Sequence, residues 1–231
     1  MGADKDVFDP LAAERTAMLR DIDLEVAATR HEIGKRSLGA DVMAAVARVP
    51  RERFVPLCSR FAAFDNGPLP IGHGQTISQP YIVALMTDLL APRPDGVILE
   101  VGTGSGYQAA VLAELVRQVY SVEIVEPLAR AAAERLAALG YANVAVRHAD
   151  GYHGWPEHAP YDGIIVTAAA PHVPEPLIGQ LKPGASLVIP VGAPGSIQAL
   201  QVFTRRQDGS CAVRNVIAVA FVPLTRERGE S

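Results

Sequence analysis

A chain of 231 residues, 49% of them hydrophobic, is long enough to bury one sizeable core, and its length suggests one domain with attached elements. Its 21 Lys and Arg stand against 25 Asp and Glu for a net charge of −4, and the basic residues are scattered apart from short clusters such as Arg51/Arg53 and Arg205/Arg206, which argues against nucleic acid as a main partner. The opening MGADKDVFDP has neither an apolar run nor a basic lead, Asp6 breaks the myristoylation pattern, and no segment approaches bilayer-spanning length, so neither a secretory signal nor membrane attachment is expected.

Asp9-Pro10, followed by Leu11, Met18, Leu19, Ile22 and Val26, predicts a first helix with an N-cap and a proline at its first position. Gly39 and Asp41 precede a second helical stripe, Val42, Ala45, Val46 and Val49, which Pro50 stops. Residues 56–70 read as aromatic and irregular. A helix then starts at Gln79-Pro80 with Ser78 as its candidate N-cap, and it runs through Ile82, Leu85, Met86 and Leu89 to Pro92.

From the linker APRPDG onward strands and helices alternate, which predicts a mostly parallel sheet with helices on both faces. The expected strands are 97–101, 119–123, 144–146, 163–167 and 187–191, the last after a Lys182-Pro183-Gly184 turn. Helices are expected after the glycine loop to about Val116, and over 127–139 up to Gly140. Segments 200–204 and 216–222 flank the turn Gln207-Asp208-Gly209 and form an antiparallel pair. Within a single domain spanning 1–231, this divides into an N-terminal helical cap (1–95), a cofactor-binding βα core (96–195), and a C-terminal strand pair with a substrate-side segment (196–231). Cys58 and Cys211, far apart and outside any Cys-x-x-Cys, read as two reduced, buried thiols of a cytoplasmic protein.

The most informative stretch is VILEVGTGSGYQ, residues 97–108. Glycines at Gly102, Gly104 and Gly106 let backbone turn tightly against a ligand. A dinucleotide fingerprint would place its third glycine at position 107, where Tyr107 stands, and no Gly-Lys-Ser/Thr follows for a phosphate loop. What remains, acidic-x-Gly-x-Gly-x-Gly from Glu100, resembles the first motif of S-adenosylmethionine (SAM) methyltransferases. A carboxylate beside the loop suits the cofactor's cationic amino-acid tail and repels a pyrophosphate. Glu123, ending the second strand, suits a ribose diol. Asp150-Gly151, ending the third, could accept the adenine amino group or be a plain turn. His148, His153 and His158 have no acidic or cysteine partners in a metal-ligand pattern, so no metal site is expected. Trp155 reads as packing.

Further motifs occur in order: VPRERFVP (49–56), PLPIGHGQTISQPYIVALMTDLL (68–90), ILEVGTGSGYQAAVLAEL (98–115), VYSVE (119–123), GWPEHAPYDGIIVTAAAP (154–171), Pro190-Val191-Gly192 and FVPLT (221–225). Over residues 38–225 the chain resembles the protein-L-isoaspartate O-methyltransferase family. Ala149 departs from the glycine that many relatives carry there, and residues 1–36 show no match.

The resemblance implies a Rossmann-like SAM-dependent methyltransferase fold with a seven-stranded sheet. It also implies methylation of the α-carboxylate of L-isoaspartyl residues in damaged proteins and peptides, with S-adenosyl-L-homocysteine as coproduct and repair through a succinimide. It makes Ser78 the active-site residue, places Gln75, Thr76 and Thr225 against the cofactor, and gives Val222 backbone contacts to the substrate. A monomer is the expected state. Two readings stay open beside it: a related carboxyl methyltransferase acting on normal aspartate or a small acid, and a non-catalytic module that retains SAM as a ligand. The presence of Ser78, Glu100, Glu123 and Asp150 argues against the second.

Overall fold

The computed structural model describes residues 10–193 and 195–226. Helix α1 (Ala12–Ile33) buries Met18, Ile22, Val26 and Ile33, a helical stripe, and leaves most of its charged residues in solvent. The expected cap Asp9 lies outside the described residues; Leu11 occupies the cap position without a side-chain bond. Helix α2 (Ala40–Arg48) buries Val42, Ala45 and Val46 and ends before Pro50, as the sequence leads one to expect.

Residues 51–77 hold more structure than the sequence reading anticipates. Two 3-10 turns, Arg51–Arg53 and Leu57–Ala62, lead into a hairpin of β1 (Leu69–Gly72) and β2 (Gln75–Ile77). His73 and Gly74 form its two-residue connection, both with positive φ, which is the signature of a tight hairpin turn. Helix α3 (Pro80–Leu90) follows, with Gln79 at the N-cap and Pro80 inside the first turn. Ser78 is therefore one residue outside the cap position given to it above, and no side-chain cap bond is made. The N–H of Tyr81 is instead satisfied from a distance by the side chain of Asn66, at 3.2 Å.

The main sheet contains β3 (Val97–Val101), β4 (Gln118–Glu123), β5 (Val144–His148), β6 (Tyr161–Val166), β7 (Leu181–Val191), β8 (Gln198–Arg205) and β9 (Cys211–Val219). Its seven strands run in the order β5-β4-β3-β6-β7-β8-β9, parallel from β5 to β7 and antiparallel at β7–β8 and β8–β9. Helices α4 (Tyr107–Ala113), α5 (Glu126–Ala138) and α6 (Glu175–Gly179) fill the crossovers. Alternation along each strand splits the interior. Ile98, Val119, Ile165 and Val188 pack into one core with α1 to α4, while Leu99, Val101, Ile164, Val166, Leu187 and Ile189 pack into a second with Leu177 of α6.

This is the expected α/β architecture with several local corrections. Lys182-Pro183-Gly184 is not a turn before the fifth core strand. It lies inside β7, where the pairing register with β6 slips between Tyr161 and Gly163 and so absorbs the proline and the left-handed Gly184. Helix α4 stops at Ala113 rather than near Val116. Strand β9 ends at Val219, short of Val222, because the chain then crosses to residue 169: the Ala169 N–H donates to the Val222 carbonyl at 2.8 Å, and the Leu224 N–H to the Ala169 carbonyl at 2.7 Å. Cys58 is exposed on the second 3-10 turn and Cys211 is half-buried, so neither is the buried thiol expected; both are free. Among the described residues no helix is long and apolar enough to cross a membrane.

One polar contact anchors the helical segment to the core. Asp88 of α3, 8% exposed, accepts the Gly39 N–H at 2.7 Å and a bond from the Lys35 ammonium. Replacing Asp88 by Ala leaves the Gly39 N–H without its acceptor in a mostly buried corner, so Asp88→Ala is expected to cost about 1–3 kcal/mol. Urea unfolding of the two proteins checks this, and an unchanged midpoint would refute it.

Candidate active site

Strand order reverses beside β3: β4 and β5 lie on one side of it and β6 on the other. Loops leaving β3 and β6 diverge at such a point and open a crevice at the carboxyl ends of the strands. A cavity lies there. One wall is the loop after β3, with Gly102, Thr103, Gly104 and Ser105; another is Glu123 with Ile124 and Val125 after β4. Across from them stand Gln75, Thr76 and Ile77 of β2 with Ser78, and the C-terminal segment closes the rim with Val222, Pro223, Leu224 and Thr225. Thus Gln75, Thr76, Ser78, Gly102, Gly104, Glu123, Gly151, Thr225 and Val222, all singled out from sequence, face one space.

The loop geometry has identifiable causes. Gly102 takes φ +95°, and a Cβ there would lie 2.4 Å from the Thr167 hydroxyl oxygen. That hydroxyl donates to the Gly102 carbonyl at 2.5 Å, and the Thr167 N–H donates to the Val101 carbonyl at 2.9 Å, so β6 holds the turn from below. Glu123 is held by two backbone donors, Gly104 N–H at 2.8 Å and Val125 N–H at 2.9 Å, which fix its carboxylate as part of the wall. Gly151 packs so closely on β3 that a Cβ would meet Val101 Cγ1 at 2.4 Å.

Three residues from the sequence reading stand elsewhere. Gly106 is the N-cap of α4, behind the loop rather than on the cavity wall. Asp150 is also off the wall: its carboxylate accepts the Tyr152 N–H and the Arg226 Nε–H, each at 2.9 Å, while the Arg226 guanidinium lies 3.8 Å from the centre of the Tyr152 ring. Glu100 is fully buried and does not line the cavity. Ser121 donates to its Oε2, Thr103 and Ser121 hydroxyls share a hydrogen bond at 2.6 Å, and Oε1 has no partner.

Burial pushes the Glu100 carboxyl up to about 8, the Ser121 hydroxyl opposing the shift and the nearby Glu123 carboxylate adding to it. Burial thus disfavours the negative charge that the sequence suggests for Glu100 beside the loop, and the residue stands behind the cavity wall. Among wall residues the sequence reading passed over, Thr167 was detectable, because it ends an apolar strand at a site where such ends carry function. Tyr107 was noted only for not being glycine. Gln108 also joins the wall, donating to the Thr87 hydroxyl at 2.8 Å. The three histidines and Trp155 take no part in the cavity; His158 stacks on Tyr120 at 3.8 Å and Trp155 packs against the same ring.

A sequence model of the protein-L-isoaspartate(D-aspartate) O-methyltransferase family matches residues 29–229. The chain belongs to this family. The match extends the likeness beyond residues 38–225 at both ends, into α1 and past Thr225. Protein-L-isoaspartate O-methyltransferase 2 of Nitrosococcus oceani is 60% identical over 208 residues, covering 90% of this chain and 94% of the relative. The protein of the same description from Syntrophobacter fumaroxidans is 58% identical over 217 residues, 94% of this chain and 88% of the relative. Among solved structures, a protein-L-isoaspartate O-methyltransferase superposes with a TM-score of 0.79 at 25% identity, covering 93% of this chain and 67% of the other. A Plasmodium falciparum chain assigned to the same enzyme class, solved in complex with S-adenosyl-L-homocysteine, shares the fold with a TM-score of 0.73 at 24% identity, over 91% of this chain and 98% of that one.

For this family member the raised Glu100 has a measurable consequence. The folded state keeps a proton that the unfolded chain releases in the ordinary carboxylate range, so this group's stabilisation is full below about 4.5 and is lost as pH rises to about 8. Glu100→Gln removes the titration and is expected to flatten the fall in stability between pH 5 and 8. Urea unfolding of both ligand-free proteins across that range tests this, and parallel pH profiles would show that Glu100 does not titrate there.

Proposed function

We propose that the chain transfers a methyl group from SAM to the α-carboxylate of L-isoaspartyl residues in proteins and peptides, with S-adenosyl-L-homocysteine as coproduct. The observation that carries this reading is the meeting of two unrelated stretches in one cavity: the glycine loop with Glu123 on one side, and Gln75 to Ser78 on the other. Family membership supports it at high identity.

The residues present fit the cofactor. Two backbone N–H groups pin the Glu123 carboxylate, and its remaining lone pairs suit the vicinal hydroxyls of a ribose. Gly151, which lines the cavity and packs against Val101, would border the adenine. Gly102 and Gly104 would receive the amino-acid end, and Gln75, Thr76 and Thr225 the opposite face. We assign Glu100 an indirect part: through Ser121 and Thr103 it stiffens the loop from beneath.

When bound, SAM supplies an electrophilic methyl group on a positively charged sulfur. The acceptor, a carboxylate with an ordinary pKa near about 4, is already ionised at neutral pH and needs no base. The protein's task is to orient it and exclude water. We assign this to Ser78, which makes no side-chain cap bond to α3, lies just before that helix's N-terminus, and lines the cavity. A carboxylate there gains from the hydroxyl donor and from the positive end of the helix. Val222 spends its carbonyl on Ala169, which holds the C-terminal segment as a rim along which a substrate backbone would lie.

Matched isoaspartyl and aspartyl peptides decide the substrate: methyl transfer to the first is expected to exceed transfer to the second, and the reverse preference would overturn the reading. Ser78→Ala should lower kcat at least about tenfold, a loss of about 1.4 kcal/mol of transition-state stabilisation, while calorimetry finds S-adenosyl-L-homocysteine affinity unchanged. Full activity in that variant would remove Ser78 from the mechanism. Glu123→Gln should weaken S-adenosyl-L-homocysteine binding about 10- to 100-fold, the worth of hydrogen bonds to a charged acceptor. Wild-type affinity would contradict the ribose assignment.

A further inference from the structure

Among the described residues Arg51 is the largest side chain that the fold buries completely, and its exposure is 0%. Among the described residues it pairs with no carboxylate, so its guanidinium is a buried cation neutralised only by dipoles and a ring. Its Nε–H donates to the Ala63 carbonyl at 2.8 Å, one Nη–H donates to the Ser78 carbonyl at 2.8 Å, and the same nitrogen lies 3.5 Å from the Gly67 carbonyl. The other Nη makes no well-formed hydrogen bond, and the Tyr107 phenol is the polar group that interacts with the guanidinium. The Tyr107 ring lies 4.7 Å from the guanidinium carbon.

A charge buried without a counter-ion is costly, and an apolar side chain of similar volume would fill the space without that penalty. The position of the charge suggests what it does. Its partners belong to both halves of the site: Ser78 on the acceptor side, and Tyr107 at the start of α4, where the glycine loop ends. The stretch it holds, 63–67, also supplies Asn66, whose side chain accepts the Tyr81 N–H in the first turn of α3. Ser78 sits between β2 and α3 in neither element, and the Arg51 bond to its carbonyl ties down its backbone there.

We propose that Arg51 is the positioning residue of the transfer site: its forked, uncompensated guanidinium fixes the Ser78 backbone against the Tyr107 ring and supplies the positive potential that favours an anionic acceptor beside the Ser78 hydroxyl. The inference rests on the methyl-transfer reading above. Lysine could keep the charge but not grip the Ala63 and Ser78 carbonyls together, and methionine keeps neither.

Wild type, Arg51→Lys and Arg51→Met are compared in two measurements. The first is calorimetric binding of an isoaspartyl peptide and of its uncharged α-amide counterpart to the enzyme loaded with S-adenosyl-L-homocysteine. The second is steady-state methylation of the isoaspartyl peptide, with melting temperature and S-adenosyl-L-homocysteine affinity as controls. Wild type should prefer the carboxylate over the amide, Arg51→Lys should keep that preference while losing at least about tenfold in kcat, and Arg51→Met should lose both. S-adenosyl-L-homocysteine affinity should stay within about threefold of wild type in all three, since no Arg51 atom lines the cavity.

Wild-type kcat in Arg51→Lys would overturn the proposal, as would loss of cofactor affinity and melting temperature in step with activity, the mark of a purely structural role. Should Arg51→Met not fold, Arg51→Lys alone decides through its retained preference and reduced kcat. Failure of the underlying reading shows separately, as a wild-type enzyme that methylates no isoaspartyl peptide.

Discussion

Side-chain-free approach of backbone to its neighbours, at Gly102 and at Gly151, is the constraint on which the rest of this site depends. At each, an added Cβ would lie 2.4 Å from an atom of the adjoining strand, Thr167 Oγ1 in one case and Val101 Cγ1 in the other. Real Cβ atoms do not tolerate such contacts, so the two loops can close on the ends of β3 and β6 only as glycine. That closure brings the Gly104 N–H within reach of Glu123 and turns the end of β4 into a wall of the cavity. The reversal of strand order supplies the crevice, and the two glycines let its loops follow the crevice floor.

Beneath that floor the charges are arranged with unequal solvation. Glu123 and Glu100 are close enough for one to disfavour ionisation of the other. Glu123 sits at the cavity with two backbone donors, whereas Glu100 is enclosed with a single hydroxyl donor, and its burial pushes its carboxyl up to about 8. On the acceptor side lies the opposite sign, a buried guanidinium and the N-terminus of α3, both directed at Ser78. On the proposed reading, Glu123 faces the cavity on the nucleoside side, while Arg51 stands behind the opposite wall, against Ser78. That separation suits a reaction in which opposite charges meet and neutralise.

Much of this was legible before the structure. The order of elements from Val97 onward, the glycine loop and Glu123 follow from strand periodicity and from an acidic-x-Gly-x-Gly-x-Gly pattern whose spacing departs from dinucleotide and phosphate-loop patterns. The β1–β2 hairpin carries a weak signal in Gly72-His73-Gly74, too short to register against the irregular residues before it. Capping of α3 was misread because Ser and Asn are both good caps: the donor that needed satisfying is reached by Asn66, fifteen residues away in sequence, and the residue adjacent to the helix was the natural choice. Lys182-Pro183-Gly184 was read as a turn because local chemistry favours one, yet pairing with β6 carries the strand through it.

Sequence by itself determined the fold class, the class of cofactor loop and, through several motifs in order, the family, because these rest on local periodicity and on residue types that few other patterns require. It also marked Ser78, but as either a cap or a catalytic group. Tertiary structure removed the first of those roles by placing Gln79 at the cap, and left the second as a proposal. It moved Glu100 and Asp150 off the cavity wall, disfavoured ionisation of the first and paired the second with Arg226. And it turned Arg51, one of 21 basic residues in the sequence, into a fully buried cation between Ser78 and Tyr107. Burial, ionisation and hydrogen-bond partners across 27 or 76 residues of chain depend on what packs against a side chain, and no local pattern encodes that.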